Sequence, residues 1–520
     1  MSRWLWLWLL LVLGLGYGLR WPDLARRPMH NDEAVNAIKF AALAERGEYK
    51  YDPHEYHGPT LHYFTLAWTR LIPGSGGSVS SETALRSTTA IFGLALIAST
   101  FLFLRGLGIS ACLWSALFLA TSTSFVFYSR YYIHEILFVF FTAIAIGAGW
   151  RYWQTRSLGW AILCGTGIGL MHASKETFVF CLVAAAGAMV ANMAWGRWID
   201  ASSPPTRPPR LNWTHIALAL LVWLGVALLF FSSFFTNAQG PMDSIRTYLP
   251  WLNRAGGASP HIQPWYFYFQ RLLFFKAGNG PWWTEGGIAL LALVGMAAGF
   301  IRRGLSDSSA SLVRFLAFYT VALTAAYVLI PYKTPWCLLG FWHGAILLAG
   351  VGMAVLLELA RTRLAKAAIL GIGVILAGHL TWQSYRANNE FAADRRNPHV
   401  YAHTAADLLR LVAQVQSLSV ASPDGDKTTI KVAGWEGDYW PLPYYLRTFS
   451  RVGYWDALPL DSPAPIMIVA ARYEAHLDEK KTHLMTGFYE LRPGVFLELY
   501  VELELWKKWL TLHPPKPDPE

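Results

Sequence analysis

An α-helical polytopic membrane protein with about 11 transmembrane helices, closed by a C-terminal soluble α/β domain, is the fold class this sequence predicts. Three observations carry it. Of 520 residues, 54% are hydrophobic and only 15% charged, where soluble domains carry about 25% charged residues. The chain also holds 25 Trp, 24 Tyr and 29 Phe, rings that favour the membrane–water interface. Third, charge is unevenly spread. Residues 1–383 hold 28 Lys+Arg and 15 Asp+Glu, whereas the much shorter 384–520 holds 15 and 18. The expected domains are therefore a membrane domain over 1–383 and a soluble domain over 384–520.

A helix needs roughly 17–25 mostly apolar residues to cross a bilayer. Apolar stretches at about 4–20, 84–104, 111–128, 134–150, 158–173, 177–195, 214–235, 285–301, 312–330, 336–357 and 367–383 qualify. The first lacks the A-x-A cleavage pattern of a signal peptide, since GYGLRWPDLARR follows it. With the N-terminus in the cytoplasm, Arg3 and the turns at 105–110, 151–157, 196–213 (with SSPPTRPPR), 302–314 and 358–366 lie inside. Together they carry 13 Lys/Arg, which obeys the positive-inside rule. An odd number of spans puts the C-terminal domain outside. The expected location is the cytoplasmic membrane.

In the C-terminal region, 401–416 reads as an amphipathic helix with Leu408, Leu409, Val412 and Val415 on one face. TIKVAG (429–434) and PIMIVAA (465–471) read as buried strands, and 487–503 as a hairpin around Pro493–Gly494. The aromatic run GWEGDYWPLPYY suits packing or stacking on sugar rings. Cys112, Cys164, Cys181 and Cys337 show no CxxC or zinc spacing.

Walker, GxGxxG, HExxH and GxSxG motifs are absent, so ATP-driven transport and zinc proteolysis lose support. Basic residues are spread over membrane segments, which argues against nucleic-acid binding. Instead, the predicted orientation gathers polar motifs on the outer face: HNDEA with Asp32 and Glu33, SRYYIHE with Arg130, His134 and Glu135, HASKET with Lys175 and Glu176, and PYKTPW with Lys333. A long aromatic loop, 236–284, joins the seventh and eighth spans on the same face. Ionisable groups at a membrane boundary are costly unless satisfied and often mark function. Cations beside carboxylates suit a phosphorylated lipid: cations hold phosphate while carboxylates handle a proton or a metal. The plainer reading pairs Glu135 and Glu176 with Arg130 and Lys175 to neutralise charge, and gives Asp32 and Glu33 to the first turn of a helix.

The order HNDEA, the half-helix HGPTLHYFTLAW (57–68), ETALRSTTAIFG, SRYYIHE and SKET resembles the GT-C membrane glycosyltransferases. Its closest likeness is to the protein O-mannosyltransferase and lipid A aminoarabinose transferase superfamily. With WPLPYYLR (440–447), it is most similar to the bacterial and archaeal proteins called flippase-activity-associated. This resemblance implies a polyprenyl-phosphate-linked sugar donor, an acceptor hydroxyl on protein, lipid or glycan, and inversion at the anomeric carbon. It makes Asp32 the general base, Glu33 its support and Glu135 the second acidic position with His134 beside it. Arg86, Arg130, Lys175 and Lys333 become candidates for the donor phosphate. His57 and Glu176 join the substrate-binding set, although His57-Gly58-Pro59 stands where relatives often place a Lys before a Pro pair. A divalent metal, used by the oligosaccharyltransferase relatives, is the one cofactor to consider, with Asp32, His134 and Glu135 as hard donors. A transporter or flippase for lipid-linked sugars, or a non-catalytic accessory subunit, is the alternative.

Overall fold

The computed structural model describes residues 3–54, 57–71, 81–199, 212–256 and 261–514. The expected SSPPTRPPR inner loop lies outside them. The chain divides into two compact units. One comprises Met1–Leu24, Phe40–Ala392 and Arg396–His399, and the other Ala25–Lys39, Ala393–Arg395 and Val400–Glu520. The segment carrying Asp32 and Glu33 thus groups with the C-terminal unit, although 384–392 stays with the helical one. Composition alone, which changes at 383, does not register that grouping.

The first unit is helical. Among the described residues seven segments are long and apolar enough to cross a membrane, and Leu5–Arg20, Leu158–His172 and Gly286–Ile301 are shorter apolar helices. One of the seven, Glu82–Thr121, is a 40-residue stretch in which two of the expected spans are joined. A 3-10 turn at Thr100–Phe103 and a non-helical Gly108 (φ 81°) interrupt it. Ser81 caps its start by accepting from the Ala84 N–H. Segment Pro335–Leu359 is the central element, with 89% of its apolar window buried, against 11% for Trp213–Phe231. Small residues let the central helices approach at backbone distance. A Cβ at Gly295 would lie 2.1 Å from the Leu348 carbonyl oxygen, and one at Gly352 would lie 2.0 Å from that of Leu291. Helices Gly286–Ile301 and Leu339–Leu359 therefore meet where neither has a side chain.

A buried carboxylate that sequence reading passed over secures the same region. Glu285 accepts from the Ser122 hydroxyl (2.5 Å), the Ser124 N–H (2.8 Å) and the Trp342 indole (2.9 Å). It bridges the break after Thr121 to the central helix.

The second unit holds a five-stranded sheet of order β2-β1-β3-β5-β4. Its strands are β1 (Ile430–Ala433), β2 (Val452–Trp455), β3 (Ile466–Ala470), β4 (His483–Arg492) and β5 (Val495–Glu502). Strand β1 pairs parallel with β2 and β3, while β5 runs antiparallel to β3 and β4. The predicted strands and hairpin correspond to β1, β3 and β4–β5, and Gly494 (φ 82°) supplies the hairpin turn. Helix Asp407–Ala421 buries Leu408, Leu411, Val412 and Val415. Half-buried β2 and the terminal helix Leu503–Leu512 were not foreseen. The terminal helix interleaves Glu504, Lys507 and Lys508 with its apolar residues, and β2 is only four residues long.

Candidate functional site

The predicted residues fall into two clusters, one in each unit. In the C-terminal unit, helix Asn31–Arg46 begins at the HNDEA motif. His30 is its N-cap: its carbonyl accepts from the Ala34 N–H, and its Nδ1 accepts from the Asp32 N–H at 3.0 Å. That bond requires an unprotonated Nδ1. Glu33 reaches back to the His30 N–H (3.0 Å), completing a capping box. Both Glu33 oxygens also accept from Arg27 Nη2 at 3.1 Å. Glu33 is fully buried, whereas the Asp32 side chain beside it is 47% exposed. The acidic pair is thus divided in role: Glu33 builds the turn and Asp32 faces outward from it.

WPLPYYLR supports this turn. The Met29 N–H donates to the Tyr445 hydroxyl at 2.8 Å, and the Thr404 hydroxyl donates to the Met29 carbonyl at 2.6 Å. His403 packs its ring 5.1 Å from that of His30. Burial pushes both imidazoles below their ordinary pKa. For His30 this outweighs Asp32 and Glu33, and for His403 the cationic form of His30 and Arg27 add to it.

In the helical unit, the HGP segment lies along the HASKET turn. The Gly58 N–H donates to the Ser174 carbonyl and the Thr60 N–H to that of Ala173, each at 3.1 Å. A Cβ at Gly58 would sit 2.2 Å from the Ala173 oxygen, so only glycine permits this approach. The seam brings His57 Nδ1 to 2.8 Å from Glu176 Oε2. Tyr51 donates to the other Glu176 oxygen at 3.4 Å, and the Tyr248 hydroxyl to the Glu176 carbonyl at 3.1 Å. His134 Nε2 lies 2.9 Å from the Gly58 carbonyl, with its ring edge-on to that of His57. Lys175 forms an ion pair with Glu135, and its Nζ is 3.8 Å from Cys337 Sγ. Burial alone would lower the Lys175 pKa and raise that of Glu176. Cys337 and Glu135 outweigh it at Lys175, holding that group above the lysine range. His57 outweighs it at Glu176, holding that carboxyl below the carboxylate range. The partners are therefore crossed relative to the plainer sequence reading: Glu135 takes Lys175, and Glu176 takes His57.

The remaining predicted cations have backbone partners. Arg130 donates to the carbonyls of Leu19, Arg20 and Asp23, capping the C-terminal end of the first helix. Arg86 is fully buried and donates to the Leu24 carbonyl at 2.7 Å. Lys333 donates to the carbonyls of Gln263 and Ile330, and burial lowers its pKa. His57, by contrast, is 37% exposed. Its Nδ1 faces Glu176, leaving Nε2 as the ring nitrogen directed elsewhere. Among the described residues no three His, Cys, Asp or Glu side chains gather as a metal site.

Residues 62–238 match the family model described as dolichyl-phosphate-mannose-protein mannosyltransferase. A search of curated proteins finds no significant match. Among solved structures, ArnT from Cupriavidus metallidurans bound to undecaprenyl phosphate superposes with a TM-score of 0.61 at 14% identity, covering 96% of this chain and 98% of that one. Its apo form gives 0.64 at 12% identity, with 95% and 97% covered. The Archaeoglobus fulgidus oligosaccharyltransferase tethered with an acceptor peptide gives 0.58 at 13% identity, with 96% and 74% covered. At such identities the likeness is one of fold, and it extends over nearly the whole chain. This chain carries the GT-C fold of the membrane glycosyltransferases to which the protein O-mannosyltransferases and ArnT belong.

Proposed function

We propose that the protein transfers a sugar, with inversion, from a polyprenyl-phosphate donor to an acceptor hydroxyl at the outer face of the cytoplasmic membrane, with Asp32 as general base. The fold supports a lipid-phosphate donor: the ArnT structure holds undecaprenyl phosphate, and the archaeal oligosaccharyltransferase has been seen with a dolichol-phosphate. The Lys/Arg distribution over the short turns supports the orientation. The observation that carries the assignment of the base is the contrast within the acidic pair. Glu33 is enclosed by Arg27 and the His30 N–H, whereas Asp32 presents a solvent-accessible carboxylate on a rigidly capped turn.

In this reading Asp32 accepts the hydroxyl proton as the acceptor oxygen forms its bond to the anomeric carbon. The C–O bond to phosphate breaks from the opposite side, and the polyprenyl phosphate leaves with its electron pair. Phosphate is a good leaving group, so the reaction needs one base and cationic stabilisation rather than a strong acid. His57, Arg86, Arg130, Lys175 and Lys333 are the candidates for that stabilisation. His57 leads them: it too has a partner, Glu176, but its ring is partly exposed, whereas the others are buried and hold carbonyls or Glu135. Glu33 and Glu135 act as positioning residues, and His134 and Glu176 order the donor side.

The test is sugar transfer in liposomes from radiolabelled polyprenyl-phosphate sugars to an envelope acceptor pool, comparing wild type with Asp32→Asn. Removing a general base costs about 100-fold or more. Transfer that vanishes in a folded, lipid-binding variant supports the base. Equal transfer by both rejects it. Protein-dependent movement of labelled lipid between leaflets, without transfer by either, favours a flippase.

A further inference from the structure

Between the apolar helices Trp213–Phe231 and Gly286–Ile301 the chain forms helices Gly240–Arg246 and Tyr248–Gly256. Thr247 between them keeps helical dihedrals (φ −56°, ψ −24°). The Thr247 N–H donates to the Asp243 carbonyl and the Trp251 N–H to the Thr247 carbonyl, so the helical path continues through the joint. Its polarity is inverted relative to a helix on a soluble protein. The buried side is polar: Asp243, Ser244 and Thr247 face the protein. The exposed side carries an apolar stripe, with Met242 at 53%, Ile245 at 64%, Leu249 at 68% and Leu252 at 66%, bordered by the exposed Arg246. At 3.6 residues per turn these four fall within about 80° of the circumference, opposite the buried polar set.

Three contacts pin the polar side. The Thr247 hydroxyl donates to the Pro53 carbonyl at 3.0 Å, Tyr248 holds the Glu176 carbonyl, and Trp251 packs 6.1 Å from Phe180. The helix therefore cannot rotate to bury its stripe without losing these bonds. In water such a stripe is unfavourable. The flanking helices also expose apolar residues, among them Leu221, Leu224 and Leu290.

We infer that the Gly240–Gly256 segment is an interfacial helix whose Met242, Ile245, Leu249 and Leu252 side chains insert into the bilayer at the headgroup–acyl boundary. Its occupant is the phospholipid surface, and the inference is independent of which sugar the protein transfers. Because Tyr248 holds the Glu176 carbonyl, the same helix ties the His57–Glu176 pair to the level of the membrane surface.

The experiment introduces Met242→Cys, Ile245→Cys, Leu249→Cys and Leu252→Cys singly into the full chain, with Arg246→Cys for contrast. Each is labelled with an environment-sensitive NBD probe and reconstituted into phosphatidylcholine vesicles, and the unsubstituted protein supplies the background from its native cysteines. Interfacial helices bury their apolar face about 5–10 Å deep. The four stripe probes should therefore emit to the blue of Arg246→Cys. They should also be quenched more by lipids brominated high on the acyl chain than by lipids brominated near its end. Water-like emission, unquenched by either lipid, overturns the inference. Emission that responds to the protein-to-lipid ratio but not to bromine also overturns it, because a second copy of the chain would then cover the stripe.

Discussion

The two polar clusters treat their carboxylates differently. In the helical unit Glu135 and Glu176 are both buried and each has a close basic partner, Lys175 or His57. In the C-terminal unit the burden falls on one member of an adjacent pair: Glu33 is buried against Arg27, and Asp32 stays accessible with His30 Nδ1 3.9 Å away. Residue type alone does not distinguish a structural carboxylate from a reactive one. What distinguishes them is which one the local turn consumes. Paired carboxylates can position neighbours, but a base must keep a lone pair open to an incoming proton.

Substitutions can break this comparison. Glu33→Gln should cost the most stability, about 3–5 kcal/mol, because it removes the buried carboxylate that pairs with the Arg27 guanidinium. Thermal unfolding in detergent would show it, and an unchanged melting temperature would remove the structural role given to Glu33. Gly58→Ala should follow, at about 1–3 kcal/mol, because the new Cβ forces the HGP segment off the Ala173 carbonyl. It should also reduce transfer while leaving Asp32 untouched, which separates damage to one cluster from damage to the other.

Two further changes sharpen the comparison through pH. Glu176 has a folded pKa below its ordinary 4.5. Its stabilisation is complete above that value and is lost as pH falls through the lowered one. Glu176→Gln should therefore flatten the acid limb of a stability–pH curve below about pH 4.5. The smallest effect should come from His30→Asn. Neutral His30 has a folded pKa below its ordinary 6.5, so acidification below that value favours the unfolded state, which takes up the proton more readily. Asparagine also accepts at an N-cap but does not titrate. The variant should keep its neutral-pH stability and lose less of it between pH 6.5 and 5. Identical acid curves for the variant and wild type would show that His30 is not the titrating cap.

Much of the fold was legible because its signals are periodic or local. Apolar stretches announced helices, and Pro493–Gly494 announced the β4–β5 hairpin. The HNDEA and WPLPYYLR motifs were noticed but not connected, since Met29 and Tyr445 are 416 residues apart and no local pattern encodes that bond. The pairing of Glu135 with Lys175 escaped for the same reason: Arg130 is closer in sequence, yet its guanidinium caps a helix end. Glu285 was hidden among aromatics and glycines, where a lone acid has no periodic partner to betray its burial.

The seam at Gly58 has an implication for inheritance. Two stretches of main chain meet there with no side chain between them, so that junction offers natural variation almost nothing to alter. On the proposed reading of this cluster as the donor side, variation enters instead through the side chains bordering the junction, His57 and the Tyr51–Tyr248 pair around Glu176. Those positions are where a library seeking changed donor preference should begin.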